Sequence, residues 1–186
     1  MNERNSFPDR PRDETERSFL ERRDYNMKKL VKTNVMRLLD AAKIAYEAKE
    51  YPVDENDLSG SHAADLMGVD HGSVFKTLVL RGEKTGYMVC CIPVDGEVDL
   101  KKAARSVGEK SVEMIHVKDI TKITGYVRGG CSPLGMKKMF PTVIDESAKN
   151  FAEIYVSGGR IGLTLKMKPQ DLVAVTNAQL ADIQAE

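Results

Sequence analysis

Three cysteines, three histidines and equal numbers of basic and acidic residues, 28 of each, leave this 186-residue chain short of several kinds of chemistry. Cys90 and Cys91 are adjacent and Cys131 stands alone. This is neither an even disulfide framework nor the paired spacing of a zinc site, and it fits a reducing compartment. No HxH, HExxH or CxxC pair occurs, nor a GxGxxG or GxxxxGK[ST] phosphate loop, so neither metal nor cofactor is expected. Zero net charge supplies no global field for nucleic acid. A general DNA binder is therefore excluded, and any such contact must come from a local patch or a partner protein. No apolar run approaches the roughly 18–20 residues that cross a bilayer. The opening residues MNERNSFPDRPRDETERS lack the apolar core of a signal peptide and the acid-poor composition of a transit peptide. The expected location is the cytoplasm, away from membranes.

What remains is enough for one domain with a real core: 41% of residues are hydrophobic and 30% charged. Met1 to Asn26 mix charges of both signs with two prolines and almost no aliphatic residues. This composition does not repay the entropy of ordering, and predicts a disordered extension or a weak helix over Ser18–Tyr25. The domain is expected over residues 27–186. TNVMRLLDAAKIAY places Val35, Leu38, Leu39 and Ala42 at helical spacing behind a Thr33 or Asn34 cap. A short strand around Ala45–Tyr51 runs into Pro52, and SGSHAADLMGV reads as a capped helix ending at Gly68. VFKTLVL and YMVCCIPV, joined by RGEKTG, read as a hairpin. Asp99 caps LKKAARSVG, and Asp119 to Thr124 offers one more helical turn before Gly125. PTVID, EIYVSGGR and IGLTLKM are strand candidates, and PQDLVAVTNAQLADI is expected to close the chain as a helix. The irregular alternation predicts a mixed α/β single domain, with a partly closed β-barrel-like sheet surrounded by helices rather than a doubly wound parallel sheet.

The stretch YVRGGCSPLGMKK draws attention to Cys131. A catalytic thiol needs a lowered pKa from a histidine, a helix N-terminus or cations, and none of His62, His71 or His116 (the last in a possible strand) is placed beside it by sequence. Packing as a small apolar filler is the simpler role. Cys90 and Cys91 point to opposite faces of one strand, where the filler reading is stronger still. Ser157 in YVSGGR lacks the flanking glycines of a nucleophile elbow. Three features remain: Lys76 inside an apolar strand, and the turns Gly129-Gly130 and Ser157-Gly158-Gly159. The lysine could face solvent and the glycines could make tight turns. Together they could equally form a site rich in backbone N–H donors, suited to holding a carbonyl or phosphate rather than attacking it. The cations Lys101, Lys102, Arg105 and Lys110 could touch phosphates or simply form a solvated face.

In order and spacing, VFKTLVL, IPVDGEVDLKKAARSVGEKSVEM, TGYVRGGCSPLGMKK, PTVID and EIYVSGGRIGL resemble the YbaK/EbsC family of freestanding aminoacyl-tRNA editing proteins. The resemblance runs from about Thr33 to Ile183, is nearest to the cysteinyl-tRNA(Pro) deacylase branch, and extends to the editing domain of prolyl-tRNA synthetase. It implies removal of cysteine from mischarged tRNA(Pro), with cysteinyl-tRNA(Cys) as a second substrate, on a mixed β-barrel ringed by helices, and prolyl-tRNA synthetase as a partner. By the same resemblance Lys76 is the essential lysine, holding the aminoacyl end and the terminal phosphate or ribose. Gly129 lines the substrate carbonyl, Ser157 with Gly158 and Gly159 forms the opposite wall, Tyr51 stands at the rim, and Thr77, Gly130 and Ser132 complete the binding set. In this branch the substrate's own thiol attacks its ester, which accounts for the missing protein nucleophile. Thr164 stands where relatives often carry an acid, Leu58 or Ser59 where some carry an aromatic, and Cys131 where isoleucine is usual. The competing readings are an alanyl-tRNA(Pro) hydrolase, a non-catalytic tRNA- or synthetase-binding module, and a Cys131 enzyme.

Overall fold

Helix starts follow the capping side chains in the computed structural model, which describes residues 30–186. Thr33 Oγ1 accepts the Met36 N–H and opens α1 (Asn34–Ala41). Ser59 does the same for α2 (Gly60–Met67) through the His62 N–H, and Gly68 ends that helix at φ 64°. Asp99 accepts the Lys101 and Lys102 N–H groups at the head of α3 (Leu100–Ser106), and Gly125 stops α4 (Ile120–Thr124) at φ 87°. Each cap supplies an oxygen to first-turn N–H groups, and each left-handed glycine lets the chain leave a last turn. The core face of α1 is Val35, Met36 and Leu39; Leu38, expected on it, is 40% exposed. The predicted extension over Met1–Asn26, with its weak helix, lies outside the described residues.

The strands are β1 (Glu47–Glu50), β2 (Phe75–Gly82), β3 (Gly86–Pro93), β4 (Val112–Met114), β5 (Thr142–Asp145), β6 (Ile154–Ser157), β7 (Leu163–Met167) and β8 (Gln179–Ala181). One sheet runs β4-β2-β3-β5-β8, antiparallel through the β2–β3 hairpin and parallel from β3 to β5 to β8; the other is the antiparallel set β1-β7-β6. A parallel bridge between Val74 and Tyr155 links them. The architecture is therefore mixed α/β, with two sheets joined along one side and no closed barrel. Met88, Val89, Cys90, Cys91 and Ile92 of β3 are at most 1% exposed, so this central strand is covered on both faces. The hairpin turn is held from outside: Glu109 Oε1 accepts the Lys84 N–H at 2.7 Å and also the Thr85 N–H.

Two expectations need correction. The closing helix α5 (Pro169–Thr176) does not run on to Ile183. Asn177 takes φ 51°, a left-handed conformation that asparagine tolerates, and the chain turns back to add β8 beside β5. Ile183 beyond it is fully buried, and its N–H is accepted by Asp145. His116 lies past the end of β4, at the head of a 3₁₀ turn (Val117–Asp119), not in a strand. β4 itself is too short to show a pattern of its own.

Candidate active site

Lys76 sits in β2 opposite Ile92, and its half-buried ammonium donates to the Val94 carbonyl oxygen at 2.9 Å. Burial pulls its pKa below the ordinary 10.5, while the carboxylates of Glu97 and Asp95 push it back up. The Val74–Tyr155 bridge is parallel, so the residues two steps further on, Lys76 and Ser157, project from the same face where the sheets join. Thr77 necessarily projects from the other face. Its Oγ1 is buried opposite Cys91 in the ladder, and the Cys91 thiol is the polar group it meets.

Ser157 Oγ accepts the Gly159 N–H at 3.2 Å, which fixes the Ser157-Gly158-Gly159 turn. Its ladder partner Thr164 lies between β1 and α2, with Oγ1 3.4 Å from the Lys49 carbonyl and 3.1 Å from the Met67 sulfur. A hydroxyl thus ties strand to helix where the family resemblance suggested an acid. Lys49 completes this seam, with Nζ 3.5 Å from the Met67 carbonyl and 5.7 Å from the centre of the Tyr155 ring.

The two glycine turns meet backbone to backbone. A Cβ placed on Gly130 would stand 3.1 Å from Ile161 N and 3.2 Å from Arg160 Cα, so a side chain there would press on backbone atoms. Gly129, at φ 83°, is exposed, and a Cβ on it would reach within 3.2 Å of Leu58 Cβ. Its N–H has no hydrogen-bond partner among the described residues. Gly159, at φ 92°, backs onto Val35 and Tyr126. Tyr51 donates its N–H to the Gly162 carbonyl at 3.0 Å and lines a crevice with Leu58, Ser59, His62 and Ile161. Burial raises the pKa of its phenol, with the Gly162 backbone opposing. Tyr51, Gly129, Gly130 and the 157–162 turn are therefore gathered around the lead-in to α2. Lys76 is tied to the first residue of α2 through Val94, whose carbonyl it binds and whose side chain packs against Gly60.

The Gly129 loop is braced from within. Tyr126 donates its hydroxyl to the Leu134 carbonyl, Gly130 N–H donates to Val127 O at 3.0 Å, and Lys137 N–H donates to Thr124 O at 3.1 Å. Ser132 is fully buried, its Oγ accepting the Leu134 N–H at 3.3 Å, so it holds the turn and does not face the crevice. Burial pushes the Cys131 thiol up to about 11, the Thr124 hydroxyl only partly opposing, and Cys90 up to about 12; Cys91 is raised further. At neutral pH these are thiols, without nucleophilic strength. His71 is engaged on both nitrogens, by Asp95 at 2.8 Å and Asp65 at 2.9 Å, and His62 lies 3.5 Å from Asp54.

One group of residues was not legible in the sequence. Ser61 donates to Asp95 at 2.5 Å, and Asp95 in turn holds His71, so α2 is fastened to the turn that accepts Lys76. These residues are far apart in the chain and carry no shared motif.

A model of the aminoacyl-tRNA editing domain matches residues 57–175, which includes Leu58, Lys76, both glycine turns and Thr164. The chain belongs to the aminoacyl-tRNA editing family. This editing domain is 45% identical over 152 residues to EbsC of Enterococcus faecalis, by name a candidate Cys-tRNA(Pro)/Cys-tRNA(Cys) deacylase. The match spans 82% of this chain and 93% of that protein. It is also 26% identical over 85 residues to the proline–tRNA ligase of Brachyspira hyodysenteriae, covering 46% of this chain and 15% of the ligase. Among solved structures it superposes, with a TM-score of 0.72 and 26% identity, on a candidate trans-editing enzyme for prolyl tRNA synthetase, over 84% of this chain and all 100% of that one. Within the described residues of the editing domain, no helix is long and apolar enough to cross a membrane.

Proposed function

We propose that this chain is a freestanding deacylase that removes cysteine from mischarged tRNA(Pro), with cysteinyl-tRNA(Cys) as a second substrate. The observation that carries the reading is the 45% identity to EbsC over nearly the whole of that protein. The physical need is plain. A synthetase pocket shaped for proline cannot strongly exclude a side chain of similar size, since a methylene-sized difference discriminates by only about 1–3 kcal/mol. A second site that destroys the wrong product restores accuracy.

The site is proposed to hold the ester and let the substrate supply the nucleophile. The Gly129 N–H donates to the ester carbonyl, Lys76 steadies the terminal ribose or phosphate, the Ser157-Gly158-Gly159 turn forms the opposite wall with Gly130 behind, and Tyr51 bounds the rim. Ser132 holds the Gly129 turn from within, and Thr77 supports β2 from the face opposite Lys76. The cysteine sulfur attacks its own carbonyl carbon, the carbon–oxygen bond to the ribose breaks, and the thiol proton ends on the released ribose hydroxyl. The product is a cyclic thiolactone, which water opens to free cysteine. Negative charge gathers on the carbonyl oxygen during attack; a fixed donor there and a held geometry each account for several kcal/mol of barrier. The high thiol pKa of Cys131 supports a reaction without a protein nucleophile.

The editing unit is proposed to occupy residues 27–186, with 1–26 as an extension beyond it. Zero net charge favours weak intrinsic tRNA affinity and cooperation with prolyl-tRNA synthetase, in the cytoplasm where the substrate is made. The decisive experiment is deacylation of cysteinyl-, alanyl-, seryl- and prolyl-tRNA(Pro) by the purified chain. Cysteine release well above the others is expected. Faster alanine release would replace the proposal with hydrolysis by water, and full activity on an S-methylated cysteinyl ester would exclude attack by the substrate thiol.

A further inference from the structure

Charge on this molecule is balanced overall but not locally. Between Lys118 and Lys138 the chain carries five cations, Lys118, Lys122, Arg128, Lys137 and Lys138, and one acid, Asp119. All five are exposed, and none has a carboxylate partner among the described residues. Of the α3 cations, Lys102 is bound to Asp182 at 2.8 Å and to the Gln184 carbonyl at 2.9 Å, and Arg105 stands in the field of the Asp99 carboxylate.

The fold gathers these cations beside the site. Lys118 lies on the 3₁₀ turn that leads into α4, and Lys122 on α4 itself. The Lys137 Nζ donates to the Lys122 carbonyl at 3.1 Å, and its stem lies 3.4 Å from where a Cβ on Gly125 would be. These residues form the base of the loop whose exposed turn carries Arg128 and Gly129. Unpaired like charges held close together repel one another unless an anion covers them. The single aromatic among them, Tyr126, is half-buried with its hydroxyl bound to Leu134, so there is no platform on which bases could stack. The surface suits phosphates, and it suits them without regard to sequence.

We propose that this cationic strip binds the backbone phosphates of the double-helical arm behind the aminoacylated end, positioning that end at Gly129 while leaving base identity unread. This rests on the deacylase reading of the site. The test is the salt dependence of binding between the full chain and uncharged tRNA(Pro), for wild type and for the triple variant Lys118→Ala, Lys122→Ala, Lys138→Ala. Each phosphate contact contributes about 0.7–0.9 to the slope of log affinity against log salt, so the triple variant should flatten it by about two to three units. The pair Lys101→Ala, Arg105→Ala on α3 should leave the slope unchanged. The triple variant should also raise KM for cysteinyl-tRNA(Pro) while cleaving cysteinyl-adenosine, which has no helical arm, at the wild-type rate. An unchanged slope in the triple variant, or an equal loss in the α3 pair, overturns the proposal. So does weaker capture of prolyl-tRNA synthetase with RNA binding intact, which would make the strip a protein interface. Wild-type protein that releases no cysteine, yet whose RNA slope still drops in the triple variant, would sink the deacylase reading and leave the strip supported.

Discussion

Leu58 stands directly over Gly129: a Cβ on that glycine would come within 3.2 Å of Leu58 Cβ, and the backbone there has φ 83°. The pairing fixes how a backbone N–H is presented at the mouth of the site. Gly129→Ala therefore faces both a left-handed conformation, costing about 1–2 kcal/mol for a residue with a side chain, and displacement of Leu58. The variant should stay folded by circular dichroism yet lose at least about 100-fold in kcat/KM, the usual cost of misplacing one such donor.

Lys76→Ala should reduce deacylation by about 100-fold or more, by removing the ammonium proposed to hold the aminoacyl end. The pH dependence has a definite sign. Burial lowers the Lys76 pKa below 10.5, so the ammonium is lost, and kcat/KM falls, at a pH below the ordinary lysine value. A pH–rate profile with no alkaline limb below 10.5 would remove Lys76 from the charge-bearing role.

Cys131→Ser should retain activity within about threefold, because a thiol raised to about 11 by burial is not a thiolate at neutral pH. A hydroxyl in this half-buried position costs some stability instead. Loss of deacylation with the fold intact would revive the protein-nucleophile mechanism.

His71 joins α2 to the Asp95 turn, and its hydrogen bonds to Asp65 and then Asp95 raise its pKa above 6.5. The sign follows from linkage: the charged clamp is fully present below 6.5 and is lost as pH rises through the raised value. Hydrogen exchange in α2, corrected for its intrinsic pH dependence, should quicken across that rise. His71→Asn should make it insensitive to pH there.

Asp145 is 2% exposed and accepts from Ile183 N–H at 3.0 Å, Ser147 N–H at 3.0 Å and Gln184 Nε2 at 2.8 Å. Burial alone raises its pKa, but these bonds more than reverse that and hold it below 3.8. Its contribution is present above 3.8 and is lost as pH falls through the lowered value. Asp145→Ala, which strands buried donors, should cost about 2–3 kcal/mol in urea unfolding.

Caps, turns and strand runs were legible because they are local: Thr33, Ser59 and Asp99 cap within three or four residues, and the β2–β3 hairpin closes over one short turn. The closing segment is not legible in the sequence because the apolar pattern from Leu172 to Ile183 suits a helix. Asn177 breaks it, and the open edge of β5 then recruits β8. Thr77 shows the same limit at the site. The sequence puts it next to Lys76, but strand alternation turns its side chain to the opposite face.

By itself the sequence determined the capped helices, the hairpin and the family, all carried by residues close together or by ordered blocks. Only the tertiary structure decided which groups share the site. It set Leu58 on Gly129 and Gly130 on Ile161, fastened α2 through His71, and collected the unpaired cations below Gly129. Such contacts join residues distant in the chain, and they depend on packing and strand register that no local pattern encodes.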